Sequence, residues 1–280
     1  MSGTPAAGVE LATERAKPRA WVGLVWVAAA FLSAVCGIGG GLFAVPVLHY
    51  LCGLDMKRSV GTSLVLVLVL SFTGTLVELL HADSALDGLT VALLVAGGFA
   101  GARVGFAVSQ RVPTLWLKRI FALVLLFAAV RILALDARVA AGAGAGLESL
   151  SIAEGASVLG IGFSGGFVAP LLGVGGGLVV IPALLLSLPG CSYLEARACS
   201  TALSVFTASQ SAVLHWRAGN ADRPLAWRFA LLTALGSATG VLAVHRPGWA
   251  EAARIAMALI LLFVAGRFGW DALRHRSSAR

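Results

Sequence analysis

The chain has 280 residues, 59% of them hydrophobic and 12% charged, with a mean hydropathy of +0.92. A soluble domain needs about a quarter charged residues to cover its surface, so this composition excludes a water-soluble globule and makes lipid the solvent. The net charge of +8 does not mark a nucleic-acid binder, because Lys and Arg stand singly between apolar runs with no basic stripe.

In chain order, Arg15, Lys17 and Arg19 precede an apolar run that leads into a glycine-rich break. No small-residue cleavage site follows, so the run predicts a retained first helix near 20–36 and not a signal peptide. A short segment near 41–53 comes next, then full spans near 59–80, 88–109 and 114–135. The Ala/Gly stretch at 136–149 reads as a flexible connector. Beyond it the pattern returns, with a span near 150–172, a short segment near 178–189, and spans near 196–216, 225–245 and 250–270. A spanning helix needs about 20 apolar residues. The segment after each glycine run is too short, and predicts a broken, hairpin-like entry.

That return is a duplication. GIGGGLFAVPVL at 37–48 lies against GVGGGLVVIPALL at 173–185, with Gly39, Gly40, Gly41 and Pro46 opposite Gly175, Gly176, Gly177 and Pro182. KRSVGTSLVLVL at 57–68 is read against ARACSTALSVFT at 196–207, which pairs Arg58 with Arg197 and Thr62 with Thr201. GARVG at 101–105 faces GSATG at 236–240, and RIFALVLLFAAVR at 119–131 faces RIAMALILLFVAGR at 254–267. Most of the 21 Lys and Arg fall on one side when both termini are placed in the cytoplasm. Arg197 is counted at an outer helix end. Five segments per copy then set the copies in opposite orientation. The expected fold is an all-α integral membrane protein of the plasma (inner) membrane: two inverted repeats, 20–135 and 150–270, with about eight full spans plus short half-helices. Tails 1–19 and 271–280 are expected in the cytoplasm.

Glycine triplets are poor membrane helix, since each Gly costs about 1 kcal/mol of propensity relative to Ala. Irregular backbone is tolerated only inside protein or along a wet cavity. A short helix starting after each triplet would aim N–H groups and a positive dipole end at that cavity, which suits a small anion. The alternative is that the glycines only let two helices cross closely; recurrence of the triplet with a following proline favours the anion site. The next span of each copy carries hydroxyls, Thr62, Ser63, Ser71 and Thr73, then Ser200, Thr201, Ser204 and Thr207. Ser200, Ser204 and Thr207 share one helical face. These groups either donate to an oxyanion or bond their own i−4 carbonyls and neighbouring helices. Glu78, within a turn of an outer end, is expected to be solvated. Arg103 lies deeper and suits an anion or an acidic partner. His49 and His215 are expected at interfaces. Cys36, Cys52, Cys191 and Cys199 show no metal spacing and are expected to be free thiols.

The twin Gly-Gly-Gly-Leu with its following Pro, and the basic-residue-then-Thr block after each, resemble the TauE/SafE sulfite exporter family (TSUP). The resemblance runs from about Trp21 to Trp270. It implies a permease for sulfite, a sulfonate or a related sulfur-containing anion, working without a cofactor. It also implies that Gly39, Gly40, Gly41, Pro46, Gly175, Gly176, Gly177 and Pro182 are motif positions. Thr62, Ser63, Ser200, Thr201 and Ser204 complete the candidate binding set. No GxxxxGK[ST] motif is present, so coupling to an ion gradient, protons first, is expected over direct use of ATP. Two rival readings are a passive channel and an intramembrane serine hydrolase built on GFSGG at 162–166, with Ser164 as nucleophile and His215 or His245 as base.

Overall fold

A computed structural model describes residues 20–81, 86–113, 151–188 and 191–246 throughout, with scattered positions between 116 and 130 and between 249 and 270, all helical. The connector at 136–149 and the two tails lie outside the described residues. Eight helices are bounded: α1 (Ala20–Cys36), α2 (Gly41–Pro46, continued by a π-helical turn Val47–Leu51), α3 (Met56–Leu80), α4 (Gly88–Arg111), α5 (Ile152–Leu172), α6 (Gly177–Ser187), α7 (Tyr193–Arg217) and α8 (Arg223–Val244). The described elements are all helical.

Local chemistry sets the ends. Asp55, Asp87, Ser151, Ser192 and Asp222 each cap a helix by accepting a backbone N–H from its first turn. Ser151 with Glu154, and Ser192 with Glu195, close full capping boxes. Gly40 and Gly176 stand before α2 and α6 with φ of 83° and 94°. Only glycine adopts that left-handed conformation without strain, so each triplet is a chain break by construction. Pro46 ends α2 as an α-helix and the chain runs on as a π turn, whereas α6 carries Pro182 without a break.

Four helices, α3, α4, α5 and α8, are long and apolar enough to cross a membrane. Large apolar side chains such as Leu24, Phe72, Leu80, Leu231 and Phe263 point outward, while serines, threonines and the carboxylates of Glu78 and Asp222 are buried. That inverts the soluble arrangement and is what a lipid-solvated helical protein requires. The chain is a multi-pass helical membrane protein.

Helix pairing exchanges under the duplication. α4 packs on α5 as α8 packs on α1, and α3 on α8 as α7 on α4, while α3 and α7 pack on each other. Glycine rows make both crossings tight. A Cβ on Gly97, Gly101 or Gly105 of α4 would strike the α5 backbone at Leu159, Phe163 and Phe167; one on Gly236 or Gly240 of α8 would come within 2.8 Å and 2.6 Å of the Val27 and Phe31 carbonyls of α1. α3 and α7 run antiparallel, with Glu78 near the end of one beside Arg197 near the start of the other.

This packing corrects the register read from sequence. α3 and α7 are both 25 residues long, and their starts pair Met56 with Tyr193, which makes Ser63 the counterpart of Ser200, Thr62 of Cys199 and Glu78 of His215. The bonds agree. Ser63 Oγ meets the Gly173 carbonyl as Ser200 Oγ meets that of Gly37. Thr62 accepts from the Asp222 N–H, and the Cys199 thiol meets the Asp87 backbone. The expected pairs Arg58 with Arg197 and Thr62 with Thr201 are displaced by two residues. The chance likeness of the Arg and Thr letters misplaced the insertion between α6 and α7.

Candidate functional site

The two glycine loops, residues 37–41 and 173–177, touch each other in the interior. A Cβ on Gly41 would collide with the Gly173 carbonyl and Val174, and one on Gly177 would lie 2.7 Å from the Gly37 carbonyl. One on Gly39 would lie 2.9 Å from the Val174 carbonyl. Gly37, Gly39, Gly40, Gly173, Gly175 and Gly176 all have positive φ. The loops need glycine twice over, for conformation and for space. Leu42, Val45, Val174 and Leu178 pack around the crossing, and Gly40 borders a cavity of about 10 Å³ lined by Trp26, Phe43, Leu70 and Thr233. That admits about one water molecule. An oxyanion would need the loops to part.

Ser63, Ser200 and Ser204 of the candidate set converge on these loops, together with Thr207. Ser204 Oγ and Thr207 Oγ1 lie 2.8 Å and 2.9 Å from the Gly175 carbonyl, Ser63 Oγ is 2.9 Å from that of Gly173, and Ser200 Oγ is 3.3 Å from that of Gly37. The shared face of Ser200, Ser204 and Thr207 thus holds the loop carbonyls that a broken helix leaves without intrahelical partners. Thr62 and Thr201 stand apart from the loops. Thr62 receives the Asp222 N–H at 2.9 Å, and Thr201 bonds its own i−4 carbonyl at Arg197. Pro46 and Pro182 follow the loops inside or at the end of their short helices.

Glu78 departs from expectation. It is 2% exposed and forms an ion pair with Arg197, itself 1% exposed, while His245 Nε2 lies 3.2 Å from the same carboxylate oxygen. His81 stacks on His245 with ring centroids 4.1 Å apart. Position near a helix end predicts solvation, but α3, α7 and the end of α8 enclose that end. Arg197, counted as an outer-end charge, is likewise buried. His215 is buried too, with Nε2 3.0 Å from the Pro170 carbonyl. Arg103 is exposed on α4, with Nε 3.2 Å from the side-chain amide of Gln210, whose oxygen accepts from it when the amide is turned so that its nitrogen donates to the Phe99 carbonyl. The cluster of Glu78, Arg197, His245 and His81 is what the sequence reading missed. No sequence signal points to it, because an apolar membrane helix carries almost no periodic signal to set which face turns inward.

The groups named for hydrolysis are not brought together. Ser164 Oγ bonds the Gly160 carbonyl on its own exposed face, while the histidines engage Pro170 and Glu78. None of the four cysteines is joined in a disulfide. Among the described residues no group of His, Cys, Asp or Glu has the arrangement to hold a metal.

A glycine-broken, duplicated helical interior is the setting in which the sequence comparison acquires meaning. The family model for the sulfite exporter TauE/SafE matches residues 4–132 and 158–280. The chain belongs to the TauE/SafE family. The two matched stretches correspond to the two copies and include both glycine loops. No curated protein and no solved structure gives a significant match. Membership in a transporter family, with these apolar helices, makes this TauE/SafE protein a membrane permease.

Proposed function

We propose that this protein is a secondary transporter that moves a small sulfur-containing anion, sulfite or a sulfonate, across the plasma membrane by alternating access. The observation that carries the reading is the reciprocal meeting of the two glycine loops. Each breaks a helix inside the protein, each is followed by a short helix, and each is held by hydroxyls of α3 or α7. Broken helices whose N-termini face one interior point are a means of binding an anion without a dedicated cation. The family match supports the substrate class.

The same reading sets the two copies in opposite orientation, with about eight full spans once the segments near 114–135 and 250–270 are included. Antiparallel α3 and α7 and the exchange of helix pairings support it. The small cavity beside Gly40 corresponds to a closed state, which opens when one copy rocks against the other. Gly39, Gly40, Gly41, Gly175, Gly176 and Gly177 form the anion site through their backbone N–H groups, with Ser63, Ser200 and Ser204 engaging the loop carbonyls; Thr62 and Thr201 act from the flanks. Protons are the coupling ion, and both termini lie in the cytoplasm.

Flux in proteoliposomes tests this. Sulfite, thiosulfate and ethanesulfonate are offered to wild type and to a Gly40→Leu plus Gly176→Leu variant that elutes as a folded, monodisperse protein. Saturable flux of at least one anion, lost in the variant, is the expected result. No flux of any of the three sinks the substrate claim, and undiminished net transport with the proton gradient collapsed sinks the coupling.

A further inference from the structure

We infer that Arg197 is a binding group for the oxyanion, masked by Glu78 when the site is empty and released when Glu78 takes a proton. The inference rests on the transport reading above and adds the residue that couples anion to proton. Three observations carry it. The stem of Arg197 lies directly on the first glycine loop, where a Cβ on Gly37 would collide with its Cγ. Three residues along the same helix face, Ser200 Oγ is 3.3 Å from the Gly37 carbonyl. The buried Nε of Arg197 has no hydrogen-bond partner although its guanidinium pairs with Glu78. A full positive charge with an unused donor therefore sits against the loop that the anion must reach.

Buried charge inside a membrane protein is costly and is retained where it works. A guanidinium presents a planar fork of donors that matches an oxyanion as well as a carboxylate. Glu78 and the anion compete for that fork. The exchange balances. One proton from water reaches Glu78 through the partly exposed His81 and His245, the carboxylate becomes a neutral acid, and one negative charge of the anion replaces it beside Arg197. Release of the anion reverses the step and returns the proton.

Among the described residues, Arg197 of α7 and His245 after α8 face Glu78, with His81 stacked behind His245. The Cys199 thiol lies within electrostatic reach of Glu78, Asp87 and Glu195. The counterpart positions at the other end of the molecule are His215 for Glu78, Val60 for Arg197 and Gln110 for His245. There His215 is bonded to the Pro170 carbonyl and packs edge-on against Phe106. Among the described residues the buried arginine–carboxylate pair thus belongs to one end, while at the other Lys57 Nζ lies 3.5 Å from the Gln110 carbonyl, so the two ends of the transport path carry different charged groups.

Anion binding to the purified full-length protein tests this without transport. Thiosulfate is the probe, because it carries no proton of its own near neutral pH. Binding is followed by thermal shift and proton uptake in weakly buffered detergent solution. Wild type is expected to take up about one proton per thiosulfate, its affinity falling about tenfold per pH unit as pH rises. Glu78→Gln is expected to bind with affinity independent of pH and no proton uptake, and Arg197→Gln to lose binding at least tenfold, with Arg197→Lys restoring part of it. Proton uptake that survives Glu78→Gln, or wild-type affinity in a folded Arg197→Gln, overturns the inference. Linked binding without flux in liposomes keeps this inference and defeats the transport reading. Flux with unlinked binding does the reverse, and absence of saturable binding by wild type overturns the assignment of Arg197.

Discussion

Without glycine at position 37, Arg197 could not pass the end of α1 on its way to Glu78, and without Glu78 it would be a lone cation in an apolar interior. The pair shows how one residue's identity follows from another's. Removing one member strands the other. Arg197→Met is expected to destabilise the protein by about 3–5 kcal/mol, because the Glu78 carboxylate is left buried without its partner. Adding Glu78→Leu to Arg197→Met should recover most of that loss, since an apolar pair carries no desolvation cost. Denaturant unfolding in detergent micelles checks it, with the single variant well below both wild type and the double variant. Equal stability of the single and double variants would show that the two side chains do not interact. None of this was legible in sequence. Depth along α3 was, but which face of the helix turned inward was not, because an apolar membrane helix carries almost no periodic signal to set its rotation.

At the level of elements, the glycines divide by what surrounds them. Gly101 lies backbone to backbone against Phe163 and Phe167 of α5, whereas Gly160, on α5 itself, has nothing within 4 Å of a Cβ. Gly160→Ala is therefore expected to stabilise by about 0.5–1 kcal/mol through helix propensity. Gly101→Ala should destabilise by about 1–3 kcal/mol, because the crossing must open to admit a methyl group. Opposite signs in one unfolding series would bear this out, and a neutral Gly101→Ala would refute the tight crossing. Helix limits were largely readable. The short segment expected near 178–189 is Gly177–Ser187, and the span expected near 88–109 is Gly88–Arg111. Glycine, proline and capping residues mark such limits by local chemistry alone. The register between copies was not readable, since matching letters at Arg58 and Arg197 outweighed the helix starts that only capping by Asp55 and Ser192 defines.

For the whole molecule, alternating access requires that α3 and α7, one from each copy and antiparallel at the centre, move relative to each other during transport. The duplication was plain from the glycine motifs. The closeness of the two loops was not, because a repeat states that two segments are alike and says nothing of whether they touch. Gly74 and Thr201 face each other across the α3–α7 contact, with Thr201 Cγ2 3.4 Å from where a Gly74 Cβ would stand. The sulfur of a Thr201→Cys side chain, placed where Cγ2 stands, would come within reach of a thiol carried at position 74. Gly74→Cys with Thr201→Cys, in a background lacking the four native cysteines, is the most direct measurement. Oxidation should form the cross-link and reduce anion flux in proteoliposomes to background, and reduction should restore it. Full flux with the cross-link in place would contradict alternating access between the two copies.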